Sequence, residues 1–218
     1  MFVGHYAAAL VAKAAEPRAP LWTYVLGCQL IDVAWGGFVM AGIEELRIDP
    51  TLLGSNLDLY SMPYTHSLPA VVAWSLVAAL LVRFALKLPW RAAVAVGLVV
   101  FSHWVLDFIV HRPDLPLWFG GPKVGLGFWN LPLSERVVEI GLVAVAAVAW
   151  TAAIKSAGLK AWPAAIFVAV LVAVQAVTDL GGALPSDPLM FGGFAIGLYA
   201  FVTAVSLLFD RPKASRTA

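Results

Sequence analysis

The chain has 218 residues, of which 61% are hydrophobic and 12% charged, with a mean hydropathy of +0.88. Soluble domains carry roughly twice that share of charge and about 45–50% apolar residues, so this composition calls for a bilayer. A formal charge of +1 without a basic tract excludes nucleic acid as a partner, and the lone Cys28 excludes a disulfide framework.

The opening Met-Phe-Val-Gly-His lacks the basic n-region and small-residue cleavage site of a signal peptide. The first residues are therefore expected to belong to the mature protein. Residues 2–15 are apolar but too short to cross, and they end at Lys13, Glu16 and Pro17; they read as a half-helix. Crossing the hydrocarbon takes about 20 apolar residues in a helix, and six stretches qualify: 21–43, 66–88, 91–112, 133–154, 162–180 and 188–209. Helices are expected for all of them, because open strands in lipid leave backbone groups unpaired. Pro20, Pro89, Pro132, Pro163 and Pro188 sit at or just before segment starts, where a missing N–H costs little. The reading is an all-α bundle in one integral membrane domain over 1–218, without internal repeats.

Orientation follows Lys and Arg. Lys13, Arg18, Arg83, Lys87, Arg91, Lys155, Lys160, Arg211, Lys213 and Arg216 fall on one side, and Arg47, Arg112, Lys123 and Arg136 on the other: ten against four of the fourteen. The richer side, with the C-terminus, is expected to be cytoplasmic, leaving 44–65, 113–132 and 181–187 outside. The Pro-, Gly- and Trp-rich run at 115–122 suits a structured lid.

Ionisable groups within spans are costly and usually functional. All four histidines, His5, His66, His103 and His111, lie in or at the ends of apolar segments, and Asp32 and Asp107 interrupt others. Glu135 and Glu139 open the span near Leu133. At 1.5 Å per residue, His5 and Asp32 lie about 15 and 16 Å above the cytoplasmic ends of their helices, and His103 and Asp107 about 18 and 24 Å. His66 and Glu135 begin helices that descend from outside. Polar groups from five segments thus converge between the middle of the bilayer and its outer boundary.

His103, Asp107 and His111 are spaced i, i+4, i+8 and share a helix face. His103 pairs naturally with Asp107. His111, about 12 Å along the axis from His103, is expected to serve a second metal, an acid–base role or the substrate. A His/Asp set suits zinc or manganese rather than copper(I). Structural readings stand beside these. A single histidine in a span is often a packing residue, and Glu135 and Glu139 can complement the positive start of their helix. Glu44, Glu45, Asp49, Asp58, Asp179 and Asp187 read as solvated loop positions, and the nine tryptophans chiefly as interfacial anchors and lipid-facing bulk.

The first 112 residues resemble the bacterial membrane-bound metal-dependent hydrolase family, the YdjM-like inner-membrane proteins. The resemblance rests on Gly4-His5, Asp32 after an apolar run, Thr65-His66-Ser67 and His103-x-x-x-Asp107. The order His, Asp, His, His-x-x-x-Asp is also similar to zinc-dependent phospholipase C and the single-strand nucleases related to it. By that resemblance His5, Asp32, His66, His103 and Asp107 are metal ligands, with Asp107 or Asp32 bridging two ions, and His111 and Glu135 are candidates for a further site. The chain departs from the family in Leu30-Ile-Asp32-Val-Ala34, where Leu-Pro-Asp and a second Asp are common, and in the approach to Thr65 through Tyr60-Ser-Met-Pro-Tyr64.

The function expected is a metal-dependent hydrolase acting on a phosphate ester of a lipid or membrane-adjacent substrate in a bacterial inner membrane. His111 would protonate the leaving oxygen, with Glu135 as the second acid–base candidate, and Arg112 and Arg136 would grip the phosphate. The alternatives are a transporter using the same cluster for ion or proton coupling, and a scaffold whose buried polar groups specify packing.

Overall fold

The computed structural model describes residues 1–180 and 185–209. Each helix starts where local chemistry permits. α1 is His5–Ala15, α2 Leu21–Met40, α3 Leu68–Phe84, α4 Trp90–Val110, α5 Pro132–Ser156, α6 Trp162–Leu180 and α7 Pro188–Leu207. Pro20 and Pro89 immediately precede α2 and α4, while α3, α5 and α7 carry proline in their first turn. Ser67 caps α3 by accepting from the Ala70 N–H at 3.4 Å, and Asp187 caps α7 through the Met190 N–H at 2.9 Å.

Five of these helices, α2, α4, α5, α6 and α7, are long and apolar enough to cross a membrane, which is compatible with an integral membrane protein. α3 is apolar but, at 17 residues, shorter than the stretch 66–88 expected from hydropathy. Its C-terminal end is set by the turn that follows: Leu86 and Leu88 donate back to Leu81 and Val82, Lys87 takes a left-handed φ of 55°, and Pro89 forbids continuation. Of the basic residues counted for orientation, Arg211, Lys213 and Arg216 lie outside the described residues, as do 181–184 of the third loop expected outside.

Burial is inverted relative to a soluble protein. Val137, Val145 and Val148 of α5 are exposed at 65–72%, whereas every histidine is buried. α2 packs against α1, α4 and α7; α3 packs on α4, and α1 on α5. The α2–α7 crossing is close because Gly36 meets Gly192: a Cβ on Gly192 would stand 2.9 Å from the Gly36 carbonyl oxygen. One apolar cluster, including Leu10, Tyr24, Val96, Trp150 and Phe167, fills one half of the bundle. A second, around Trp35, Leu46, Leu59, Met62 and Trp129, lies beneath the loops.

Those loops are more ordered than the all-α reading implied. β1 (Glu45–Ile48) and β2 (Leu57–Ser61) form an antiparallel hairpin, β3 (Leu115–Pro116) pairs with β4 (Lys123–Val124), and a 3₁₀ turn spans Phe128–Asn130. Leu46, Leu59 and Leu115 point inward, so the hairpins roof the bundle. Arg112 ties the roof together by donating to the carbonyls of Leu53 (2.6 Å), Ser55 (2.8 Å) and Leu57 (3.4 Å) and to Asn130 (3.0 Å).

Candidate metal centre

Between the two apolar clusters, four imidazoles and two carboxylates meet. α4 supplies His103 and Asp107 one turn apart, α2 supplies Asp32, and α1 brings His5 at its first residue. His66 comes from the turn before α3, and His111 follows the last residue of α4. His5, His66, His103, Asp107 and His111 are each at most 2% exposed.

Asp107 is the hub. Its Oδ2 lies 3.0 Å from His103 Nε2 and 3.8 Å from His66 Nε2. Its Oδ1 lies 3.1 Å from His5 Nε2, 3.5 Å from His111 Nε2 and 3.3 Å from the Met1 nitrogen. Asp32 Oδ1 closes the first group, 3.3 Å from His66 Nε2 and 3.4 Å from His103 Nε2. Donor atoms about 2.0–2.1 Å from a tetrahedral zinc are about 3.3 Å from each other, so these spacings are the edges of such a polyhedron. Two groups of three, Asp32, His66 and His103, and His5, His103 and Asp107, each bring their donor atoms within 4.8 Å of one another.

The outer nitrogens settle which way the lone pairs face. His103 Nδ1 donates to the Cys28 carbonyl at 2.8 Å, and His111 Nδ1 to Asp114 Oδ1 at 2.8 Å. His66 is fixed through a relay. Glu44 accepts from the N–H groups of Tyr64 (2.7 Å) and Thr65 (2.9 Å) and from the Thr65 hydroxyl (2.6 Å). With its single proton given to Glu44, that hydroxyl accepts from His66 Nδ1 at 2.8 Å. All three imidazoles therefore turn Nε2 lone pairs toward two carboxylates. His103 Nε2 makes no hydrogen bond although Asp107 is 3.0 Å away. Lone pairs so close to carboxylates repel unless a cation, metal ion or proton, stands between them. Asp32 is held in turn by the Tyr199 hydroxyl, which donates to Oδ2 at 3.0 Å. Outer partners of this kind orient metal-bound histidines and carboxylates, and a buried His/Asp group of this geometry can hold a metal ion.

The centre opens into a cavity of about 410 Å³ roofed by Gly54–Leu57 and Trp129 and walled by α2, α5, α6 and α7. His5, Asp32, His66, His103 and Asp107, expected as ligands, all come together. His111 joins them from the C-cap of α4, where one turn beyond Asp107 it sets Nε2 3.5 Å from Oδ1 and packs its ring on Trp129 with centroids 4.1 Å apart. Glu135 and Arg136 line the same cavity. Arg112, expected at the phosphate, spends four of its five N–H bonds on the roof instead.

Three other expectations change. Glu44 is 1% exposed rather than solvated, because three donors from 64–65 surround it. Trp35, Trp129 and Trp150 are buried rather than lipid-facing. Glu139 complements the start of α1 rather than that of its own helix, accepting from the N–H groups of Phe2 and Gly4 (3.3 Å).

The relay makes a direct prediction. Thr65→Ser keeps the hydroxyl and will leave zinc affinity close to wild type, whereas Thr65→Val frees His66 Nδ1 and will weaken it about 10–100-fold. Competition against a chromophoric chelator reads the difference; equal affinities for the two variants would remove Thr65 from the site.

No family model, curated protein or solved structure compared with the chain matches it.

Proposed function

We propose that the protein is a membrane-embedded metal-dependent hydrolase of a phosphate ester, as its motif resemblance to the YdjM-like family implies. One observation carries the reading: three imidazoles with outward Nδ1–H bonds aim Nε2 at two carboxylates with the edge lengths of a metal polyhedron. Zinc is the proposed ion, with manganese second, because imidazole and carboxylate without thiolate suit both. Asp32, His66, His103 and Asp107 would hold one ion, and His5 and the other Asp107 oxygen would extend the site to a second. A bound divalent ion lowers the pKa of a water toward neutrality and neutralises phosphoryl charge. His111, whose Nε2 faces the cavity while Asp114 holds Nδ1, would carry the proton to the leaving oxygen.

The membrane setting extends the proposal. α3, about 26 Å long, would serve as a sixth span, since 17 residues is the short end of the crossing range. The lysine- and arginine-rich side, with the C-terminus, would face the cytoplasm of a bacterial inner membrane, so the roofed site opens outward.

Protein purified without chelator should carry stoichiometric divalent metal and release product from a phosphodiester, both lost on chelation and restored by zinc. A preparation that holds no metal and takes none up on titration refutes the proposal. The second reading, a proton-coupled transporter, is favoured by the same inward lone pairs, which protons also satisfy. It predicts flux dependent on Asp32 and Asp107 with no product and no metal.

A further inference from the structure

Across the cavity from the imidazoles, α5 and α6 face each other with paired polar residues, Glu135 and Glu139 against Gln175 and Asp179, each pair one turn apart. Arg136 is the side-chain cation placed among the three carboxylates, and the Met1 ammonium acts on Glu135 and Glu139 as well. Arg136 donates to Glu139 at 3.0 Å and lies 2.9 Å from Asp179, but its nearest nitrogen is 3.8 Å from Glu135. Glu139 is further engaged by the N–H groups of Phe2 and Gly4. Glu135, 6% exposed, shares a hydrogen bond with the like-charged Glu139 and otherwise has the distant guanidinium and the Met1 ammonium near it.

A second, independent acceptor stands opposite. Gln175 is 6% exposed, and its amide nitrogen donates to Asp179 at 2.8 Å. A carboxylate only accepts, so the amide cannot be reversed and Oε1 must face away from Asp179. That oxygen is buried and has no hydrogen-bond partner among the described residues. An unpaired buried carbonyl is costly. Two acceptors on one cavity, with net negative charge around them, call for a cationic donor. Arg136 among them disfavours a divalent ion, whereas an ammonium group brings three N–H donors and one charge.

We propose that the cavity holds, beside the metal centre, a subsite for the primary ammonium of an aminoalkyl phosphate headgroup, received by Glu135 and Gln175 Oε1. This rests on the phosphoesterase reading for the position of the phosphate. The remaining wall argues that the headgroup arrives on a lipid. Phe191, Phe194 and Leu198 of α7 line the same cavity, and Phe194 is also 46% exposed on the apolar outer face of the helix. A tail lying along α7 leaves its headgroup between the metal ligands and Glu135. The specificity predicted is for N–H bonds and not for charge alone. A quaternary ammonium has the same charge but no donor, so it leaves both acceptors unpaired.

Zinc-loaded protein in phosphatidylglycerol nanodiscs doped with equal phosphatidylethanolamine and phosphatidylcholine provides the test, with retained lipids counted by native mass spectrometry. Wild type should retain phosphatidylethanolamine over phosphatidylcholine by roughly tenfold or more. Glu135→Gln and Gln175→Leu should each bring the ratio toward one with zinc content unchanged. Equal retention by wild type, or a preference that survives in both variants with native zinc content, overturns the subsite. Competition by soluble O-phosphoethanolamine as effective as that by the lipid overturns the lipid part of the proposal. The two readings fail separately. Selective retention without cleavage sinks the hydrolase and keeps the subsite; cleavage of both lipids at equal rates sinks the subsite and keeps the hydrolase.

Discussion

Asp107→Asn should abolish metal binding outright. The substitution keeps the volume of a residue that is 1% exposed, so any effect comes from charge and from the lost second acceptor. Asp107 Oδ1 faces His5 and His111, and Oδ2 faces His103 and His66. An amide offers one acceptor and no charge, and its NH₂ would point at two of those imidazoles. Asp32 would remain as the centre's single carboxylate, reaching two of the imidazoles, His66 and His103. Loss of an outer partner costs about 10–100-fold in metal affinity, and a hub touched by four ligands should cost more, at least about a thousandfold. Elemental analysis after chelator-free purification will read it directly. Thermal denaturation with and without zinc supplies the control, since a ligand that binds only the folded state raises its stability. Wild type should gain a higher Tm with zinc, and Asp107→Asn none. If the variant instead keeps its metal and merely melts earlier, Asp107 is a packing residue and the scaffold reading takes over.

The residues that carry this prediction were legible because lipid makes charge expensive. Asp32, His103 and Asp107 interrupt apolar runs, and no solvated loop explains them away. The outer partners were not legible. Glu44 sits in a stretch of acidic loop residues, and only the fold of β1–β2 wraps the turn at Tyr64 and Thr65 around it. Tyr199 and the Cys28 carbonyl carry no signal at all, being a tyrosine and a peptide group among apolar neighbours. Extrapolation from the sequence failed at one point. Arg112 looked free to meet a phosphate, yet the carbonyls of the 53–57 loop claimed it. Helix positions followed hydropathy and proline closely, while the two roof hairpins are too short to announce themselves.

The second large effect concerns a residue that touches none of the imidazoles. The N–H groups that open α1, those of His5, Tyr6 and Ala7, donate back to the carbonyls of Phe2, Val3 and Gly4, which leaves the N–H groups of Phe2 and Gly4 ahead of the helix to be satisfied from elsewhere. Glu139, fully buried on α5, accepts from both. Those residues flank His5, whose ring stacks on His103 with centroids 3.9 Å apart and planes 4° from parallel. A cavity cannot close if the segment bearing His5 is unpinned, because buried N–H groups each cost about 1–3 kcal/mol when left unpaired. Glu139→Ala should therefore loosen the segment and remove His5 from the centre. Its effect on metal affinity should match that of His5→Ala, and the double variant should be no worse than either alone. Residues acting independently would instead add their losses. A second readout separates positioning from general destabilisation: metal bound by the remaining Asp32, His66, His103 and Asp107 group should persist in all three variants, giving the same reduced stoichiometry. Additive losses, or a Glu139→Ala protein with a full metal complement, would show that α1 reaches the site without the anchor.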